Sequence, residues 1–261
     1  MIVVTWNINS IKVRIHAVIQ YLVEYSPDVL VVQETKCTDE NFPSEELKAA
    51  GYYSYSCGQP TYNGVAIISK KKLNDVELNP VNTKENQQRS IAATYKDLKI
   101  INLYVVNGQN VGTEKFEFKM RWLRALKKYI KTCLLTNAKL IILGDFNIAP
   151  SDKDVFDIEL TKNQILCSPD ERKAFNDLLS LGLNDLFLCF DYPAKTFTWW
   201  DYRGGAFHKN VGYRIDHILG TPLISGVCKN LIIDKETRHK SWCKVEPRTS
   251  DHAPVRVILD F

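Results

Sequence analysis

The sequence has no apolar run approaching the roughly 20 residues that a membrane-spanning helix needs. It also has no basic segment followed by a cleavable apolar stretch at its start; MIVVTWNINS reads as a strand rather than a signal peptide. Paired cysteine spacing is missing too. The seven cysteines (Cys37, Cys57, Cys133, Cys167, Cys189, Cys228, Cys243) are odd in number and scattered, with no C-x-x-C. That argues against zinc fingers and against a disulfide framework. Several sit in apolar company (CLL, LCF) and are expected to be small core residues, and reduced thiols point to the cytoplasm. A strong charge of one sign is absent: 34 basic against 30 acidic residues leave +4, which permits a polyanionic partner without demanding one. No Pro/Gly/Ser linker, low-complexity segment or repeat divides the chain, so one domain over residues 1–261 is expected. With 45% hydrophobic and 25% charged residues, nothing in the balance suggests disorder.

What the sequence does have is a series of short β-branched runs: IVVTW (2–6), DVLVVQ (28–33), GVAIIS (64–69), SIAATY (90–95), KIINLYVV (99–106), KLIILGDFN (139–147), YRIDHILG (213–220) and APVRVIL (253–259). Such near-continuous runs fit strands buried on both faces. Three stretches carry helical spacing instead. Ser10–Tyr25 begins at a candidate N-cap, Ser10. Thr113–Leu135 is the longest. Ser168–Leu181 opens S-P-D-E, with Ser168 as cap, Pro169 as first helical residue and acids at the positive end of the dipole, and Gly182 ends it. The mixed order predicts an α/β layered fold with a large sheet content.

Several runs end in polar residues that have no packing reason to be there: Trp6-Asn7, Gln33-Glu34, Gly144-Asp145-Phe146-Asn147, Asp216-His217, and Asp251-His252 ahead of the last run. Each alone reads as a turn. Strand ends gather at one edge of a layered fold, so together they predict a site. Oxygen-rich clusters hold Mg²⁺ or Mn²⁺, usually with substrate phosphate and water. Metal-assisted phosphodiester hydrolysis needs a carboxylate to position or deprotonate water, a cation against developing charge, and help for the leaving oxygen. An imidazole kept protonated by a carboxylate donates well to a phosphate oxygen, and Asp216 with His252 could form that pair.

WNINS, VVQETK, GYYSYSCGQPTYNGVAIISK, LYVVNG, LGDFNIAPSDKDV, FTWWDYR, YRIDHIL and SDHAPV resemble, in order and spacing, the exonuclease III family of abasic-site endonucleases. The matches run from residue 1 to 257. The resemblance implies a four-layer αββα sandwich like that of DNase I, in the endonuclease/exonuclease/phosphatase superfamily. It implies Glu34 as principal metal ligand with Asn7 beside it, Asp251 as a neighbouring site carboxylate, and Asp145 as the group that orients or activates water. Asn147 and Tyr104 would contact the scissile phosphate or its leaving group, Asp216 and His252 would form the Asp–His pair, and Arg89 and Asn107 would lie along the DNA. The sequence departs at Val106, where many relatives have proline; that removes no chemical group.

The segment KTFTWWDYRGGAFHKNVGYR (195–214) interleaves aromatics with cations, as backbone neutralisation plus stacking requires. Trp199 is expected at the core edge. By the resemblance, Trp200 belongs to a pocket for a flipped sugar without its base, and Arg203 is expected to touch DNA. Lys70-Lys71-Lys72 reads as a solvated turn, and Arg238–Trp242 as either a phosphate contact or surface. His16 reads as structural and His217 as packing. The expected activity is Mg²⁺-dependent incision 5′ to abasic sites in duplex DNA, leaving a 3′-hydroxyl, with 3′→5′ exonuclease and 3′-phosphatase or phosphodiesterase activity. The expected partner is duplex DNA with abasic sites or damaged 3′ ends, bound by a monomer without a membrane. The competing readings are a relative acting mainly on DNA 3′ ends, on RNA or on another phosphodiester such as an inositol phosphate or sphingomyelin, and a non-catalytic nucleic-acid-binding protein on this fold. The second would lack a metal or water-positioning residue.

Overall fold

A computed structural model of the chain describes residues 1–245 and 249–261. The first half contains β1 (Ile2–Asn7), α1 (Ile11–Tyr25), β2 (Val29–Gln33), α2 (Ser44–Ala49), β3 (Tyr53–Cys57), β4 (Val65–Ser69), β5 (Asn74–Leu78), β6 (Ser90–Tyr95), β7 (Leu98–Tyr104) and α3 (Glu114–Cys133). The second contains β8 (Leu140–Asp145), α4 (Ile158–Thr161), α5 (Pro169–Leu179), β9 (Asn184–Asp185), β10 (Asp216–Gly220), α6 (Pro222–Val227), β11 (Cys228–Ile233) and β12 (Val255–Leu259). The strands form two six-stranded mixed sheets, ordered β11-β12-β1-β2-β4-β3 and β5-β6-β7-β8-β10-β9.

Strand alternation builds the layers. Val3, Val29, Val31, Val65 and Ile67 of the first sheet meet Ile91, Ile100, Ile141, Leu143 and Ile218 of the second in a central core. Val4, Trp6, Leu30, Val32 and Ile68 face outward, under Val18, Tyr21 and Leu22 of α1. Ile101, Leu103, Leu140 and Ile142 face outward on the other sheet, under Trp122, Leu126 and Ile130 of α3 and Phe175 of α5. Both faces of the central strands are therefore covered, and the expected four-layer αββα sandwich is what the chain forms. A polar seam crosses the central core. Gln33 Nε2 donates to Thr5 Oγ1 (2.9 Å) and Asn102 Oδ1 (2.7 Å), while Asn102 Nδ2 donates to the carbonyls of Val32 and Ala66. Buried donors without partners are costly, so this seam fixes how the sheets are aligned.

Three local expectations fare differently. Ser168 caps α5 with a capping box to Glu171, and Gly182 follows in the left-handed region (φ +95). Ser10, in contrast, makes no side-chain cap to α1. Its backbone N–H and that of Ile11 instead donate to the carbonyls of Glu34 and Thr35 (2.7 and 3.1 Å), so the chain leaving β2 starts α1. Cys189 of the LCF stretch is exposed, whereas Cys133 of CLL is buried; the short turn that carries Cys189 aims it outward. No helix of the described residues is long and apolar enough to cross a membrane.

Parallel pairing brings the C-terminal ends of β1 and β2 (Asn7 opposite Gln33) and of β7 and β8 (Tyr104 opposite Asp145) to one edge. The antiparallel strands β10 and β12 begin at that same edge, with Asp216 opposite Asp145 and His252 just ahead of β12.

Candidate active site

Asp145 stands at the centre, 2% exposed, at the last position of β8. Gly144 just before it is necessary. A Cβ there would lie 2.0 Å from the carbonyl oxygen of Leu103 in β7, and its φ is +150. Any side chain at 144 would push β8 off β7 and carry Asp145 away from Tyr104. Asn7 Nδ2 donates to Asp145 Oδ2 (2.9 Å) and to Glu34 Oε1 (3.0 Å), bridging the two sheets between carboxylates. Glu34 sits in the left-handed region (φ +55), a strained state of the kind that gathers at functional sites. Its other oxygen pairs with Lys36 Nζ at 2.8 Å.

His252, 4% exposed, is held through Nδ1 by both oxygens of Asp216 (2.9 and 3.1 Å). With Nδ1–H donating there, Nε2 is turned toward Asp145, 3.8 Å from its Oδ2. Burial opposes charge on this imidazole, but Asp216, Asp145 and Asp251 outweigh it and hold the histidine up at about 10. Asp145 moves the other way from an ordinary carboxylate. Burial, with Asp216 and Glu34 close by and only partly offset by His252, pushes it up to about 7. Burial would also raise Glu34, yet Lys36 and Asn7 prevail and keep it below the usual range. The site thus holds a carboxylate of raised basicity beside a persistent imidazolium.

Two loops close over this centre. Asn147 has φ +50; its N–H donates to Asp145 Oδ1 (2.9 Å) and its Nδ2 to the carbonyl of Val105 (3.0 Å). The exposed Asn107 donates through Nδ2 to Asn147 Oδ1 (3.0 Å). Burial and the charge of Glu34 push Tyr104 well above its ordinary range, so its hydroxyl stays a neutral donor. Arg89 packs over the Tyr104 ring at 4.7 Å and donates to Gln87 Oε1. Asn7, Glu34, Tyr104, Asp145, Asn147, Asp216 and His252 are therefore brought together, with Arg89 and Asn107 at the rim.

Asp251 lies beside this centre, where its charge helps keep His252 protonated. Its oxygens accept from Asn9 and Ser250 on one side and from Trp199 Nε1 (2.9 Å) on the other, and it reaches Glu34 only through Asn9 and Lys36. Trp200, expected to line a sugar pocket, is 0% exposed. It packs with Phe197, Ala206 and Phe207 and donates to Asn210 Oδ1, so no ligand reaches its ring. Trp199 is the less buried of the two tryptophans. It is half-buried, 5.8 Å from the Tyr213 ring and 6.4 Å from the His252 ring. No sequence signal separates two adjacent tryptophans. Arg203 is highly exposed and forms a bidentate pair with Asp201. Arg238 is buried rather than free surface. Its guanidinium donates to the carbonyls of Ser250 (2.5 Å) and Trp200 (3.2 Å) and so holds the turn that presents His252. His217 packs against Phe146 and Phe175, as expected.

The donor set fits a hard divalent cation. Asp145, Asp216 and His252 offer atoms within 4.8 Å of one another, but the histidine is committed to Asp216 and protonated, so it has no lone pair to give. The oxygens suited to a cation belong to Glu34 and Asp145, whose mutual repulsion a cation would relieve. Asn7 was expected as a ligand oxygen. Here its NH2 faces the carboxylates and its Oδ1 accepts from the Asn9 N–H (3.0 Å), so it spaces the two acids instead.

Residues 4–252 match the model of the endonuclease/exonuclease/phosphatase family. The chain is 32% identical to exodeoxyribonuclease III of Haemophilus influenzae, over 97% of both chains. Over the full length of both chains it is similar in structure to a Neisseria 3′ phosphatase solved with product DNA hairpin (TM-score 0.94, 40% identity). The same holds for an AP endonuclease from Archaeoglobus fulgidus (TM-score 0.92, 30% identity).

Proposed function

Because this chain belongs to the endonuclease/exonuclease/phosphatase family, as a DNA-repair nuclease of the exonuclease III type, we propose that it hydrolyses phosphoester bonds of duplex DNA beside damaged sugars. It cuts 5′ to an abasic site, leaving a 3′-hydroxyl, and clears blocked 3′ ends with the same groups. The observation that carries this reading is the pairing of Asp145, pushed up to about 7, with a His252 held charged 3.8 Å away. A base and a proton-rich donor beside one another suit attack of water on a phosphate diester.

In the incision, Asp145 takes the proton of the attacking water. His252 donates through Nε2–H to a non-bridging phosphate oxygen as charge builds there, and Asp216 keeps that proton in place. Asn147 offers its second amide hydrogen to the same phosphate. Tyr104, kept neutral, donates to the leaving 3′ oxygen as the phosphorus–oxygen bond breaks. Glu34 and Asp145 would hold a divalent cation, Mg²⁺ or Mn²⁺ by its fit to hard oxygen donors, which when bound would supply positive charge against the phosphate. Trp199 and Tyr213 offer the aromatic wall for a sugar without its base. The monomeric, cytoplasmic setting expected from the sequence goes with this reading.

A second reading, in which 3′ ends are the preferred substrate, is favoured by one comparison: identity to the Neisseria 3′ phosphatase is 40%, against 30% to the archaeal AP endonuclease. One experiment tests both. A labelled duplex with one tetrahydrofuran abasic analogue and a nicked duplex ending in a 3′-phosphate are incubated with Mg²⁺ or with EDTA. The analogue cannot undergo β-elimination, so a metal-dependent cut 5′ to it is hydrolytic and supports the first reading. Removal of the 3′-phosphate without incision supports the second. Loss of neither bond overturns both.

A further inference from the structure

We propose that Lys119, fixed by Glu171, is a positioning residue for the reaction: it clamps together the two loops that carry Asn107 and Asn147. This rests on the role proposed above for Asn147. Lys119 lies on α3 and Glu171 on α5, and both side chains are fully buried. The ammonium has three hydrogens and three acceptors: Glu171 Oε1, the Asn147 carbonyl (2.7 Å) and the Asn107 carbonyl (3.1 Å). None remains for a substrate, so Lys119 acts only through the loops. Glu171 is immobilised in turn. Its carboxylate accepts from the N–H (3.0 Å) and hydroxyl (2.6 Å) of Ser168 and from the N–H of Leu166 (3.1 Å).

The loops are shaped to receive the clamp. Gly108 has φ +91, and a Cβ there would come within 3.1 Å of Lys119 Cδ, so the loop closes directly on the lysine stem. Beyond Asn147 the next two carbonyls are also held by side chains. Ile148 O accepts from His217 Nε2 (2.8 Å) and Ala149 O from Arg172 Nε (3.2 Å). Stability alone does not explain an ion pair here, since two apolar side chains of similar volume often serve a core as well or better. What an apolar side chain cannot do is donate to two loop carbonyls at once, and that keeps Asn107 Nδ2 on Asn147 Oδ1 and the Asn147 amide aimed at the site.

The test is a kinetic cycle on the tetrahydrofuran and 3′-phosphate duplexes at saturating Mg²⁺. Its variants are Lys119→Met, Lys119→Met/Glu171→Gln, Asn147→Ala and Lys119→Met/Asn147→Ala, each checked for native near-UV circular dichroism. The paired Lys119→Met/Glu171→Gln change leaves no uncompensated buried charge and carries the test if Lys119→Met alone does not fold, again combined with Asn147→Ala. The expected result is a kcat loss on the order of 10- to 100-fold, with KM and DNA affinity within about 3-fold. Adding the clamp variant to Asn147→Ala should cost no more than about a further 3-fold, since the clamp acts through Asn147. Full, multiplicative losses in the combined variant, or wild-type kcat without Lys119, would overturn the proposal. A wild-type rate for Asn147→Ala would instead overturn the role given to Asn147. An inactive wild-type protein would overturn the function proposed for the site.

Discussion

Replacing Asp216 by Asn should convert His252 from a permanent donor into one that titrates near neutrality. The two groups meet at 2.9 and 3.1 Å, with no more than 4% of either exposed, so water screens them little. Removing one partner of such a pair costs about 3–5 kcal/mol, and one unit of pKa corresponds to ~1.4 kcal/mol. The loss to His252 is therefore about 2–4 units. Starting from about 10, the imidazole of the variant would titrate at about 6–8. The sign follows from the raised value: the donor is present below the pKa and lost as pH rises through it. The alkaline limb of kcat should thus move from about 10 in the wild type to about 6–8 in Asp216→Asn, while DNA affinity holds. The assay is kcat against pH from 5.5 to about 10.5 at saturating substrate and Mg²⁺. A limb that stays at its wild-type pH would show that Asp216 does not keep His252 charged, and the role given to the pair would be wrong.

Three further outcomes can be measured. Glu34→Ala should raise the Mg²⁺ concentration for half-maximal rate sharply, and an unchanged metal requirement would remove Glu34 from the ligand set. Trp200→Ala should cost about 3–5 kcal/mol of stability with near-normal kcat in the folded fraction, whereas Trp199→Ala should leave stability nearly intact and lower kcat/KM about 10-fold on the abasic duplex; the reverse pattern would contradict their placement. His217, buried and beside Arg214, is pushed down to about 4, so its contribution to stability is complete above about 6.5 and is lost as pH falls toward 4. Urea unfolding should show the wild type losing about 3 kcal/mol more than His217→Gln over that window, and parallel curves would count against it.

The fold was legible wherever burial left a pattern. All eight apolar runs became strands, because each lies inside a sheet covered on both faces. The four strands that escaped notice, β3, β5, β9 and β11, are the four edges of the two sheets. β5 is exposed throughout and β11 mostly open, so neither carries a continuous apolar run. The site was legible because its groups end strands, where a polar residue has no packing reason to be. What stayed hidden depends on direction rather than identity. Trp199 and Trp200 differ only in which way the chain turns them. Asn7 was expected to offer oxygen and offers nitrogen, because two carboxylates face it. The Lys119 ammonium reads from sequence as the polar face of α3, since nothing in its spacing announces a buried acid 52 residues away.

The site has no home in either half of the sandwich. Asn7, Glu34 and His252 hang from one sheet, and Tyr104, Asp145, Asp216 and Asn147 from the other. Neither set alone contains both a proton acceptor for water and its charged companion. The active arrangement comes into being only when the sheets dock in register across Gln33 and Asn102. Enzymatic turnover is thus a readout of sheet-to-sheet alignment. A refolding chain should regain secondary structure before it regains any cleavage, and a partly opened molecule with one sheet ajar should cleave no DNA.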